Sequence, residues 1–469
     1  MATGGPPVER LRGYLSQLPT AKRTQLIAEL ESALLRGDEV PGGDLLLQEV
    51  RSSVRESAQR APRISQAARL FFRPLEPFLV EDQSGQKQLA RLARSTLPQL
   101  WDWICRDVLP DVGNRFSDAV THALNDGGAA MCGHLIRPFQ DQVAERIRAM
   151  LGESELDDKV RRRMIGQIGL PQALEVARDL LAILGGRDTL AAIASRLPGH
   201  IGNLADGQLE QIKLILDTCT AEAGELLPFA LILLGGRLAS PWQLIRLAVR
   251  AAESDAAARI ASTSYSIAVT VTLADIEQKV GELKVDLKRG QHIAVISLLK
   301  YIHDAVRGIR SELDLGHDSP WGRQLAAIRS EVSSALKTEI ESTPGRVRRL
   351  LRPRAPGKSV GARLDAGDVA ETEALIELLG ACRNYASELA ISEVTLLAHS
   401  ELEQYLESGP RTLVEGLRGA DPADRAFRQL QIEAAVRFCA KVFGPQYAAV
   451  LVKAAEVAVN SERKVTAKA

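Results

Sequence analysis

Gln291-His-Ile-Ala-Val-Ile-Ser-Leu-Leu-Lys-Tyr-Ile-His-Asp-Ala-Val-Arg-Gly-Ile-Arg-Ser-Glu-Leu-Asp-Leu315 is the stretch that decides the fold class. Val295, Leu299, Ile302, Val306, Ile309 and Leu313 alternate spacings of four and three, which puts them in one seam of an α-helix. Asp314 to Ser319 reads as a turn. A second seam follows, formed by Leu325, Ile328, Val332, Ala335 or Leu336, and Ile340. The two predict an antiparallel, coiled-coil-like hairpin over 291–341. Gly308 falls inside the first helix, where it weakens the helix or admits a close neighbour.

Upstream, helix punctuation recurs. Ala182-Ile-Leu-Gly-Gly-Arg187 returns fifty residues later as Ile232-Leu-Leu-Gly-Gly-Arg237. Each copy reads as an apolar helix ending in glycines able to go left-handed, as in stacked helical hairpins; reuse of a helix cap explains the echo equally well. Ser240-Pro-Trp242 and Ser319-Pro-Trp321 both read as helix starts, with serine as cap and proline at the first position. Leu226 to Leu238 is apolar but short of the ~20 residues a membrane span needs, and Arg237 closes it; it reads as a core helix. From Ile64 to Leu151, breaks are expected at Pro74, Pro77, Pro98, Pro110 and Pro138. Trp101 and Trp103, two apart, point to different sides. Ala21 to Arg36, capped by Thr20 and stopped by Gly37, and a helix opening at Pro41 make a further hairpin.

Downstream, Arg346, Arg348, Arg349, Arg352, Arg354, Lys358 and Arg363 lie between Ser342 and Leu364 without an intervening acid. Pro344, Pro353 and Pro356 suggest a linker or exposed arm there. Asp365 to Leu406, with no proline, reads as one long helix. A short helix near Arg411 to Leu417, then Ala423 to Phe443 and Gln446 to about Asn460, complete the chain, with a frayed tail from Ser461. Between Asp365 and Ser461 there are fifteen acidic and eight basic residues. The arm thus has an acidic neighbour within its own chain.

Composition agrees with an all-α array of helical hairpins, with a solenoid as one form of it, followed by a C-terminal helical bundle. Aromatics are 4% and hydrophobics 45% of the 469 residues, and the helix-favouring types Leu, Ala, Arg and Glu dominate. The expected division is 1–151, 152–343, a basic linker 344–364, and an acidic bundle 365–469. Basic and acidic residues number 59 each, so no global positive field invites nucleic acid. Cys105, Cys132, Cys219, Cys382 and Cys439 are odd in number, widely spaced and without CxxC, which argues against a disulfide framework or structural zinc. Met1 to Arg12 lack the apolar core of a secretory signal, and a cytoplasmic location is expected.

Tests for chemistry fail in turn. Gly357-Lys358-Ser359 has Arg352 where a phosphate loop needs glycine. Ser297-Leu-Leu-Lys300 and Ser334-Ala-Leu-Lys337 have the spacing of serine acyl-enzymes but not their companion motifs. His122, Cys132 and His134, and His399 beside Glu401, lack the spacing of a metal pair. Leu190 to Leu197 and the following Pro-Gly-His-Ile-Gly faintly suggest a helix-turn-helix, yet the next helix carries Asp206 and Glu210 with Lys213 as its one cation. No residue is assigned a catalytic, cofactor or metal role, and none of these is expected. Arg346, Arg348, Arg349, Arg352, Arg354 and Lys358 remain as a candidate anion or partner site.

The expected function is a non-enzymatic helical scaffold or adaptor with a protein partner, self-association included. The alternatives are a regulatory or architectural protein whose basic arm holds nucleic acid or an anionic membrane, and an enzyme with a site assembled from distant helices.

Overall fold

The computed structural model describes residues 64–81, 87–127, 132–170, 172–316, 318–353, 364–418 and 422–466, with Leu26, Leu30, Leu46, Glu49 and Val50. The hairpin expected before residue 60 lies outside these, except that the five single residues are helical. The described chain is all-α: among its residues the only named strands are β1 (Leu79–Val80) and β2 (Leu92–Ala93). No described helix is long and apolar enough to cross a membrane. Two compact units form, residues 1–76 with 93–184, and residues 77–92 with 185–469. These divisions differ from the expected ones at 151 and 344.

The first unit contains α1 (Gln66–Phe71), α2 (Leu97–Trp103, prolonged by a π-turn through Val108), α3 (Pro110–Gly127), α4 (Gly133–Leu156), α5 (Asp158–Ile168) and most of α6 (Ala173–Gly185). Its core is aromatic. Phe116 and Phe139 stack at 4.1 Å between centroids, and Phe71 meets Phe139 and Trp101 edge-on or tilted at 5.4 Å. Trp103 is fully buried, while Trp101 joins the aromatic cluster. The two tryptophans therefore divide as their spacing requires. Pro98 and Pro110 open helices as expected, but Pro138 does not break α4. It sits one turn inside the helix, and the buried Phe139, Val143 and Ile147 hold that turn in place.

The second unit opens with α7 (Arg187–Arg196), α8 (Asp206–Thr220), α9 (Leu227–Gly235), α10 (Ile245–Ala252) and α11 (Ala257–Ala261). α9 is apolar on every side and its faces are buried, as a core helix must be. The glycines after α6 and α9 are not left-handed: Gly186 has φ −92° and Gly236 φ −66°. A new helix starts directly after Gly186, whereas Arg237 runs into a bridge between Ile201 and Leu238. The two copies of the echo thus continue differently. Ser319 caps its helix by accepting from the Gly322 amide at 2.9 Å. Ser240 makes no such bond and precedes only a 3₁₀ turn.

The long helices follow: α12 (Ser266–Lys288), α13 (His292–Glu312), α14 (Pro320–Leu351), α15 (Ala366–Leu389), α16 (Ser392–Leu417), α17 (Pro422–Phe443) and α18 (Pro445–Thr466). The seam of α13 is buried along its whole length. Its partners, however, are α12 and α15, and α14 packs on α12, α15 and α16. The expected α13–α14 coiled-coil hairpin is therefore corrected: the two helices take opposite corners of a four-helix arrangement. Ala305 and Gly308 are also buried, which widens the apolar face of α13 to roughly 200° at ~100° per residue, more than one neighbour covers. The loop between them is tied elsewhere, with the Asp314 amide donating to Asp255 O at 3.1 Å.

Gly308 is the point of closest approach. A Cβ built there would run into the indole ring of Trp242. Trp242 rests on bare backbone, the second of the two roles the sequence allowed for this glycine.

Three further boundaries differ from expectation. Asp365 to Leu406 is not one helix, because Ala390 turns left-handed at φ 57°. The conformation costs about 1–2 kcal/mol. It is held from α14, where Arg329 donates to Glu388 O and Ser387 O and Ser333 donates to Ala390 O. α16 then continues through Pro410 to Leu417, so no separate helix starts at Arg411. α18 continues to Thr466, past the expected fray.

Two outcomes are expected. Gly308→Ala forces the methyl into the Trp242 ring and destabilises by about 1–3 kcal/mol, despite the ~1 kcal/mol that alanine adds to helix propensity. Denaturant midpoints check it, and the added cost should vanish in a Trp242→Ala background. His292, buried at the start of α13, has its pKa lowered below the ordinary 6.5 by desolvation, against the pull of Glu339 and Glu371 and with a push from Arg346. The unfolded state then binds the proton more readily, so stability is complete above pH ~6.5 and declines as pH falls below it. Melting curves for His292→Gln should lose that part of the decline.

Candidate interaction surface

The cationic segment is not an arm along its first half. α14 carries on through Pro344 to Leu351, which corrects the expected linker start. An interior proline costs roughly 3 kcal/mol. Burying Val347, Leu350 and Leu351 contributes about 1.5–3 kcal/mol each. The sum favours the helix.

Helical spacing then sorts the cations. Arg346 pairs with Glu371 of α15 and reaches Glu339 at 4.0 Å. Arg348 pairs with Glu401 of α16. Arg349 and Arg352 are exposed and make no ion pair among the described residues. Arg354 and Lys358, with Gly357-Lys358-Ser359, lie outside the described residues. The acidic C-terminal helices thus take up part of the positive charge, as their composition anticipated.

The end of α14 is closed by a group from far along the chain. Gln431, buried on α17, donates to Leu350 O at 2.9 Å and Arg352 O at 3.0 Å. Arg437 pairs with Glu373, and Lys441 with Glu377, which together with burial and Glu373 sets the Lys441 pKa; the hydrogen bond to Glu377 is the largest effect and raises it. α14 to α17 are therefore cross-linked by charge on their flanks and by apolar contact between.

The remaining motifs are structural where they are described. Lys300 binds Asp304 at 2.6 Å and its pKa is raised by that hydrogen bond, the reverse of what a serine-activating base needs. Ser334 and Lys337 are exposed. Glu401 faces Arg348, whereas His399 meets Glu403 at 3.2 Å and Arg383 at 3.3 Å. No group of three potential ligands that could hold a metal occurs among the described residues. Burial pushes the Cys382 and Cys439 thiols up to about 12, leaving them protonated and unreactive. On α8, Asp206 and Glu210 pair with Arg246 and Arg250 of α10, which spends the face a recognition helix would present.

One open cleft of about 470 Å³ lies between α8, α9 and the start of α12. Its ionisable groups satisfy one another. Tyr265 donates to Asp217 at 2.7 Å, Lys213 binds the other oxygen at 2.6 Å, and burial foremost raises the Tyr265 pKa. No acid or base there is left poised for a proton transfer.

Each of the last three helices carries exposed apolar side chains. Leu396 and Leu397 on α16, Leu430 on α17, and Val450, Val452 and Val457 on α18 all stand exposed, up to 69% for Leu396 and Val450. The sequence reading missed them. Its available signal was α18 itself, where Ala448 to Val459 is apolar except for Lys453 and Glu456. Comparison of the chain with protein-family models, curated proteins and solved structures finds no match.

Gln431→Ala should cost about 1–3 kcal/mol, because two buried-end carbonyls lose their donor. Arg346→Ala should cost only about 0.2–1 kcal/mol, since its pair with Glu371 is half-exposed. Chemical denaturation of both variants in low and high salt checks the order, and only the second effect should shrink with salt.

Proposed function

We propose that this chain is a non-enzymatic helical scaffold or adaptor that holds a protein partner against the outward side of α16, α17 and α18. The exposed Leu396, Leu397, Leu430, Val450, Val452 and Val457 carry the reading. Large apolar side chains gathered on one set of helices are a common mark of a protein-binding surface, and helical faces offer anchors at regular spacing. The mutual pairing of ionisable groups in the cleft supports a binding role over a catalytic one. The buried, protonated thiols of Cys382 and Cys439 fit a reducing, cytoplasmic setting.

A second reading rests on Arg349 and Arg352, exposed at the mouth of the segment that continues to Arg354 and Lys358. These cations would hold an acidic protein, nucleic acid or an anionic membrane surface. Arg346 and Arg348, spent on Glu371 and Glu401, make this the weaker of the two.

Affinity capture with mass spectrometry separates them. On the scaffold reading, a defined protein is retained by the wild-type chain and lost, at least tenfold, by Leu396→Glu with Leu397→Glu. The arm reading expects salt-sensitive retention on heparin or anionic vesicles, lost in Arg349→Ala with Arg352→Ala. Unchanged capture by the leucine variant counts against the first, and no retention at low salt against the second.

A further inference from the structure

We propose that the outward face of α18 pairs with the same face of a second copy of this chain, in an antiparallel two-fold contact. The proposal rests on the reading above that the last helices form an interaction surface, and it names one occupant for part of it.

α18 has two unlike faces. Ala448, Leu451 and Ala458 are buried against the bundle, where the helix packs on α16 and α17. Ala449, Val450, Val452, Lys453, Glu456 and Val457 are exposed on the other side. A helix apolar on both sides belongs between two neighbours, yet α18 closes the bundle with its outer valines 69% and 61% exposed at 450 and 457.

The pattern of that face selects the occupant. Val450 and Val457 are one heptad apart and line one seam. Lys453 and Glu456 are the charged residues among those exposed over 449–457. In an antiparallel pairing about a two-fold axis near residue 453, Val450 of each copy meets Val457 of the other. The same operation brings Lys453 of each copy beside Glu456 of the other. A two-fold contact repeats every interaction twice, so one short helix face supplies two valine pairs and two opposite-charge pairs. The face is its own complement in shape period and in charge. Three turns of helix bury less than the ~1,200–2,000 Å² of a standard interface, so the association is expected to be concentration-dependent.

Sedimentation equilibrium of the full chain over a wide concentration range tests this. The wild type should show a monomer–dimer equilibrium. Val450→Glu with Val457→Glu should be monomeric at every concentration, with an unchanged far-ultraviolet spectrum, because both positions are exposed. Lys453→Glu and Glu456→Lys should each weaken association at least tenfold. Mixing those two variants should restore it, since each then supplies the charge that the other faces. Leu396→Glu with Leu397→Glu should self-associate like the wild type. A wild type monomeric throughout overturns the proposal, as does a dimer indifferent to the valine changes or not rescued on mixing. If such a monomer still captures a partner through Leu396 and Leu397, self-association fails while the scaffold reading stands.

Discussion

The arrangement of the second unit follows from the width of one apolar face. Val295, Leu299, Ile302, Val306 and Ile309 form a seam that a single partner helix could close, but Ala305 and Gly308 extend the buried surface around α13. A face of about 200° needs neighbours on two sides, and α12 and α15 supply them. Trp242 fills the gap that the missing Gly308 side chain leaves. Once α13 is held in this way, α14 cannot lie along it and instead takes the opposite corner. At 32 residues and about 48 Å, α14 is then long enough to reach both the central helices and the C-terminal ones.

That reach explains the treatment of charge. The chain is neutral overall, but its cations and carboxylates are segregated along the sequence, and α14 carries the basic end to the acidic helices. Arg346 with Glu371 and Arg348 with Glu401 add little stability each, being half-exposed. Their effect is on register: they fix which turn of α14 faces which turn of α15 and α16. Gln431 does the costlier task, satisfying two carbonyls at a helix end that would otherwise lack partners. The side chains of Arg349, on the solvent side of α14, and Arg352, just past its end, stay outside these ion pairs.

The helices α16 to α18 also carry exposed apolar side chains. Their valines and leucines stand exposed, and covering them would release the free energy of desolvation.

The sequence by itself determined the helices and their inward faces. Period placed the seams of α13 and α14 and separated Trp101 from Trp103, an unbroken apolar run marked the burial of α9, and summed charge marked the attraction between the basic segment and the acidic helices that follow it. These are local properties, set by residues three and four apart or by summed charge. Only the tertiary structure decided which helix covers which seam, because that choice depends on the width of each face and on contacts between residues far apart in sequence. It also decided the breaks. Ala390 turns left-handed, with no glycine or proline to signal it, because Arg329 and Ser333 of α14 hold the carbonyls around it. Pro344 and Pro410 fail to stop their helices because the residues beyond them are buried, and that burial outweighs one lost hydrogen bond.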